Sequence, residues 1–268
     1  MTELFSLQFF RNALLMSLIL SVLFGALSFF VVMRRMSFLG AGVAHTAFGG
    51  VAIGVFFGVN PFLTSLAFCA ASALLIGRLT RFGRISYDTG IGIFFSFSMA
   101  LGALLIAMRR EFTFDLMGYL FGNILGVTAA DILTGAICLA LFIPFIALFL
   151  HRILFLAFDE EVAAVSGVRT EILDSALLVF LAAIIVVSIK IVGIILVSAL
   201  VVLPASFGLL VSTDFRKVLA WGCAYSVAIM TGGLFLSYVL DTPAGATIVT
   251  AGTLLYFTGL ALVKIRSH

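Results

Sequence analysis

The chain has 268 residues, 63% of them hydrophobic and only 10% charged, with a mean hydropathy of +1.32. Too few polar side chains remain to cover a water-soluble surface of that size, so most of the chain must be solvated by lipid. The formal net charge of +3 comes from Lys and Arg set between apolar stretches and not from one amphipathic face, which argues against a nucleic-acid-binding surface and for topology signals.

A helix needs about 20 mostly apolar residues to cross the hydrocarbon core. Nine runs meet that criterion, at 12 to 33, 41 to 58, 62 to 79, 88 to 108, 130 to 151, 174 to 189, 191 to 211, 218 to 240 and 244 to 263. Only Lys190 separates the sixth from the seventh, so eight spans is the other reading. The expected fold is all-α: one polytopic helical bundle over residues 1–268, with no polar stretch that could fold as a second domain. The first run lacks a small-residue cleavage pattern and reads as a retained helix. Pro144 and Pro204 lie inside runs, where a missing N–H and a ring clash should bend or break a helix.

Alternate loops differ in charge. One set holds Arg34, Arg35, Arg78, Arg81, Arg84, Arg152, Arg169, Arg216, Lys217, Lys264 and Arg266; the other holds only Arg11, Arg109, Arg110 and Lys190. Cationic loops are kept on the cytoplasmic side, so the N-terminus is expected outside and the C-terminus inside a cell membrane.

The second run carries His45 among glycines and alanines. An ionisable group within a span is costly and faces the bundle interior, a partner or an aqueous path. Gly42, His45, Gly49 and Ala52 recur at helical spacing, a face that allows close approach. Neutral imidazole is a good ligand for zinc and other first-row metals; from the residues alone, a hydrogen bond to a neighbouring helix is an equal reading. Gly50 and Gly54, in G-x-x-x-G spacing, read as packing devices. Asp88 is expected to cap the fourth helix.

The segment Thr113 to Leu125 is too short to cross and reads as an interfacial or re-entrant helix at the outer side. The longest cytoplasmic loop holds Phe158 to Val168, which starts with Asp159, Glu160 and Glu161, continues with Val162, Ala163 and Ala164, and closes at Gly167. Acids at its start and a glycine at its end suit a short helix parallel to the membrane. Lys190 is expected near the outer end of two spans, capping carbonyls, and Asp241 is expected to start the last helix. His151 and His268 read as solvated or interfacial. Cys69, Cys138 and Cys223 share no metal-ligand or redox spacing and read as packing residues. No G-x-x-x-x-G-K-[ST] phosphate loop occurs, and none of the three lysines follows a glycine.

Several of these segments together carry a resemblance that runs almost end to end. They are Arg35-Met36-Ser37-Phe38-Leu39-Gly40 leading to Ala44-His45; Asp88-Thr89-Gly90-Ile91-Gly92; Tyr119-Leu120-Phe121-Gly122-Asn123-Ile124-Leu125; Phe158-Asp159-Glu160-Glu161; Ser188-Ile189-Lys190-Ile191-Val192-Gly193; Ala199-Leu200-Val201-Val202-Leu203-Pro204-Ala205; and Ser237-Tyr238 followed by Asp241-Thr242-Pro243-Ala244-Gly245. In these the chain resembles the membrane permease subunit of ABC importers for divalent transition metals, the ABC-3 family. Glu161, Ala163 and Gly167 also match the spacing of the E-A-A-x-x-x-G coupling signature of ABC importers, with Val162 in place of the first Ala.

The resemblance implies a permease that is not itself an enzyme and moves a divalent metal, zinc or manganese foremost, by alternating access. It implies a second copy of the chain, a cytoplasmic ABC ATPase dimer that binds the ATP, an extracytoplasmic metal-binding protein, and no cofactor bound by this chain. Asp159, Glu160, Glu161, Ala163 and Gly167 would form the coupling helix, and His45 would contact the metal in transit. Family members commonly place an aspartate one helical turn before the histidine. Here that position is Ala41. A single imidazole does not make a permanent site, since tight four-coordinate binding usually takes three or four protein ligands. The competing reading, a secondary transporter, would need several buried acids for cation and proton exchange, and here the acids lie at span borders. An intramembrane hydrolase is disfavoured, since neither H-E-x-x-H nor G-x-S-G is present.

Overall fold

The computed structural model describes residues 7–83, 85–108, 118 and 122–266. The described chain is helical: α1 (Gln8–Met33), α2 (Ser37–Phe57), α3 (Pro61–Phe82), α4 (Tyr87–Met108), a 3₁₀ turn (Ile124–Gly126), α5 (Ala129–Phe158), α6 (Glu160–Val165), α7 (Thr170–Leu200), α8 (Leu203–Val211), α9 (Phe215–Leu240) and α10 (Ala244–Arg266). Among the described residues, eight stretches are long and apolar enough to cross a bilayer, with Thr170–Val211 counted as one of 42 residues.

That count replaces the nine-run reading with its eight-span alternative and moves the interruption. Lys190 does not separate two helices; it lies within α7, and the helix is broken three residues later at Gly193, with φ 76° and ψ 165°. Such a backbone is open essentially to glycine alone. Two other corrections concern helix ends. Ser86, not Asp88, caps α4: its Oγ accepts from the Thr89 amide at 3.1 Å. Asp241 closes α9 with φ 51° and does not start α10. Pro204 falls in the first turn of α8, where its missing N–H costs nothing. Pro144 stays inside a continuous α5. Of the proposed outer segment 113–125, most lies outside the described residues, as does His268.

The chain forms two compact units, each drawn from separated stretches: residues 1–35, 117–147 and 187–268 form one, and 36–116 and 148–186 the other. In the first, α1 packs antiparallel to α9. Phe10 meets Phe235 edge-on with centroids 5.2 Å apart, and further along Gly25 lies against the backbone of Cys223. Gly208 of α8 abuts the Val218 carbonyl, and Gly222 of α9 abuts that of Pro204. Tyr225 stacks on Phe207 at 4.5 Å and donates its hydroxyl to the Gly252 carbonyl at 2.6 Å. In lipid a hydroxyl without a partner is costly, and Ser17 and Ser21 accordingly donate to carbonyls one turn back, at 2.8 and 2.6 Å.

In the second unit α2 lies between α3 and α4. Its glycines set both contacts: Gly42 and Gly49 face Ile91 and Ser98 of α4, while Gly50 and Gly54 face Ser65 and Pro61 of α3. The pairings run parallel for α2 with α4 and antiparallel for α2 with α3, the alternation that three consecutive spans require. Ser65 Oγ donates to the Ala47 carbonyl at 3.2 Å. All three cysteines are free, with Cys69 and Cys138 buried.

Candidate functional site

His45 lies midway along α2, half-buried, on the stripe between Gly42 and Gly49 that brings α4 close. Two contacts fix its ring. Nδ1 is 2.8 Å from the carbonyl oxygen of Ala41, and the ring meets Phe95 edge-on with centroids 4.8 Å apart. A carbonyl only accepts, so Nδ1 carries the proton and the lone pair sits on Nε2. Among the described residues no hydrogen bond to Nε2 is found. A half-buried imidazole with Nδ1–H held by a carbonyl is oriented as a metal ligand is.

No group of three or more His, Cys, Asp or Glu side chains that could hold a metal gathers among the described residues. Ala41, where a carboxylate is common, offers His45 only its backbone oxygen. Among the described residues His45 therefore lacks the three or four protein ligands that a tight four-coordinate site usually takes.

The connection between α5 and α7 is built as its residues dictate. Asp159 is extended, with φ −155° and ψ 105°, and its carboxylate accepts from the Val162 amide at 2.9 Å, capping α6. Glu160 and Glu161 occupy the first turn, where carboxylates complement the helix dipole. At the other end Gly167 has φ 83°; its amide donates to the Ala164 carbonyl and that of Val168 to the Ala163 carbonyl, both at 3.1 Å. This is a Schellman closure, which needs the left-handed residue that glycine supplies. Ala163 is fully buried, while Val165 is 91% exposed, with Phe158 and Val162 also exposed. The helix therefore seats itself by its small residue and presents its larger apolar side chains outward.

Beside it is a cluster that the sequence reading does not single out. Arg81, in the last turn of α3, lies 2.9 Å from Glu160, 3.3 Å from Glu171 and 3.7 Å from Asp174. Tyr87 Oη donates to Asp174 at 3.2 Å. Arg81, Glu171 and Asp174 border a cavity of about 600 Å³ between α3 and the start of α7. Arg81 was readable only as one cation of a charged loop. The available signal was Asp174, the acid that opens the sixth apolar run, which needs a partner if it is buried.

At the other end of α7, Lys190 forms an ion pair with Asp131 of α5 at 2.7 Å, in place of the carbonyl capping expected from sequence. Asp131 also accepts from the Thr128 hydroxyl at 2.7 Å. Gly122, with φ 69°, leaves room for the backbone at Val192 and Gly193 to approach.

Among the described residues, eight helical stretches of membrane length define a multi-pass membrane protein. The sequence pattern of the ABC 3 transport family matches residues 6–263, and the chain belongs to that family. It is the permease of an ABC-type divalent metal importer in the plasma membrane.

Among its relatives, a Listeria monocytogenes protein described as manganese transport system membrane protein MntC is 33% identical over 250 residues, covering 93% of this chain and 89% of that one. The Haemophilus influenzae high-affinity zinc uptake system membrane protein ZnuB is 29% identical over 248 residues, covering 92% and 95%. The solved structure of PsaBC from Streptococcus pneumoniae in complex with Fab contains a chain with a TM-score of 0.83 and 28% identity, with 96% of this chain and 92% of that one covered.

Proposed function

We propose that two copies of this chain enclose a path for manganese or zinc, that a binding protein outside the membrane delivers the ion, and that a cytoplasmic ABC ATPase docks on α6 and drives alternating access. The names of the relatives, from manganese and zinc systems, support the choice of cargo. The observation that carries a direct role for this chain is His45, whose Nε2 is left available by the Nδ1 bond to Ala41. In this reading the imidazole replaces one water of the passing ion, and the absence of a second strong ligand beside it allows fast release.

Asp159, Glu160, Glu161, Ala163 and Gly167 make the coupling helix, with exposed Val162 and Val165 facing the ATPase. The test is reconstitution of the chain with its ATPase and binding protein in proteoliposomes, with uptake of Mn²⁺ and Zn²⁺ measured. His45→Ala should lower uptake about tenfold or more, in the range seen when groups that tune a metal contact are lost, and should alter the preference between the two ions. Unchanged uptake and preference would remove His45 from the path. Uptake that persisted without the ATPase and collapsed with the proton gradient would identify a secondary transporter instead.

A further inference from the structure

Arg81 joins elements that are far apart in sequence. Its guanidinium, a planar fork with five N–H donors, reaches Glu160 at the first residue of α6 and both Glu171 and Asp174 near the start of α7. Asp174 also binds Tyr87, the first residue of α4. Isolated surface ion pairs hold little, but here the Asp174 side chain is only 5% exposed, so the network is anchored on a buried carboxylate whose charge requires a partner.

The caps of α6 satisfy its own ends from within; they shape the helix but do not fix its place. The Glu160–Arg81 pair ties it to α3, and through the same guanidinium to α7. From α3 the contacts continue to α2, where Ser65 and Pro61 lie against Gly50 and Gly54, and α2 bears His45. The same helix α3 thus holds α6 at one end and packs on α2, the helix of the imidazole, toward the other, all inside one compact unit. A rigid helix shared by two sites is one of the elements that can carry a displacement between them.

We infer that Arg81 is the positioning residue of the coupling helix, clamping α6 to α3 and α7 so that a displacement of α6 moves both. This rests on the reading of α6 as the ATPase-docking element. A lysine would not replace it, because a point charge does not fork between acceptors on two helices.

The test uses the assembled importer in proteoliposomes with Mn²⁺ as probe, and reads metal moved per ATP hydrolysed. Arg81→Gln and Glu160→Gln should each lower that ratio about fivefold or more, the double variant should be no worse than Arg81→Gln, and Arg81→Lys should recover little. A purely structural role would reduce the amount of assembled complex and leave the ratio intact. Unchanged ratios, or effects that multiply in the double variant, would overturn the inference. If Arg81→Gln fails to assemble because Asp174 loses its partner, Glu160→Gln decides, since it leaves the Arg81–Asp174 pair in place. Gly167→Val separates the two levels: if it uncouples while Glu160→Gln and Arg81→Gln do not, Arg81 alone is misassigned; if none of them uncouples, the docking role of α6 fails as well.

Discussion

His45 owes its orientation to its own helix. The Ala41 carbonyl takes the Nδ1 proton at 2.8 Å, and Phe95 closes off one side of the ring. The side chain of residue 41 stands one turn away on the same half-buried face, so a carboxylate placed there would share a cation with Nε2. Ala41→Asp should therefore tighten apparent metal affinity about tenfold, read as a lower KM for Mn²⁺ uptake, and slow turnover as release becomes harder. An unchanged KM would mean that the two positions do not meet one ion. His45 was legible in the sequence because a histidine in an apolar run is rare and expensive. Arg81 and Asp174 were not recognisable as a pair, because nothing local relates residues on different helices. Lys190, expected at the end of two spans, lies within α7, and its carboxylate partner Asp131, 59 residues earlier, was equally hidden.

The same division holds for elements. The glycines of α2 announced close packing, and the structure assigns alternate pairs to different neighbours, Gly42 and Gly49 to α4 and Gly50 and Gly54 to α3. A methyl group on Gly50 would meet the Ser65 backbone at 2.5 Å, and backbone does not yield as a flexible side chain does. Gly50→Ala should destabilise the protein by about 1–3 kcal/mol, measured as a lower midpoint of thermal unfolding in detergent. Gly92, on the open side of α4 with nothing within 4 Å, should tolerate Ala and serves as the control. The short helix α6 was legible in full because both of its ends are specified by local chemistry, an acid that caps and a glycine that closes. At Gly167 a side chain would find open space, so the penalty of Gly167→Val is one of backbone conformation, about 1–2 kcal/mol, and should fall on coupling more than on the amount of protein in the membrane. Helix starts at Asp88 and Asp241 were misread because boundaries shift by a few residues: Ser86 caps α4 ahead of Asp88, and α10 begins only at Ala244.

For the whole molecule, the number of passages turns on one stretch. At 1.5 Å per residue the 42 residues of Thr170–Val211 would extend about 63 Å, twice the hydrocarbon thickness. One straight crossing is excluded, and Gly193 divides the stretch into a first arm, 170–192, and a second, 194–211, that is itself interrupted between Leu200 and Leu203. Two passages here would make the total nine, in keeping with the alternation of basic loops, where a single passage gives the eight stretches counted above. The expected outcome is that single cysteines introduced near the two chain ends, in a variant lacking Cys69, Cys138 and Cys223, react with an impermeant thiol reagent from opposite sides of the membrane. Labelling of both ends from one side would show that the stretch passes once.

The bend at Gly193 also bears on how the protein is made. Among the described residues the charge nearest to it along the chain is Lys190, already bonded to Asp131, so neither arm has a strongly polar flank at the bend to halt it during insertion. The two arms are then expected to enter the bilayer as one unit. A bulky residue at Gly193 would be felt at biogenesis: less permease reaching the membrane, with whatever arrives working at the normal rate per molecule.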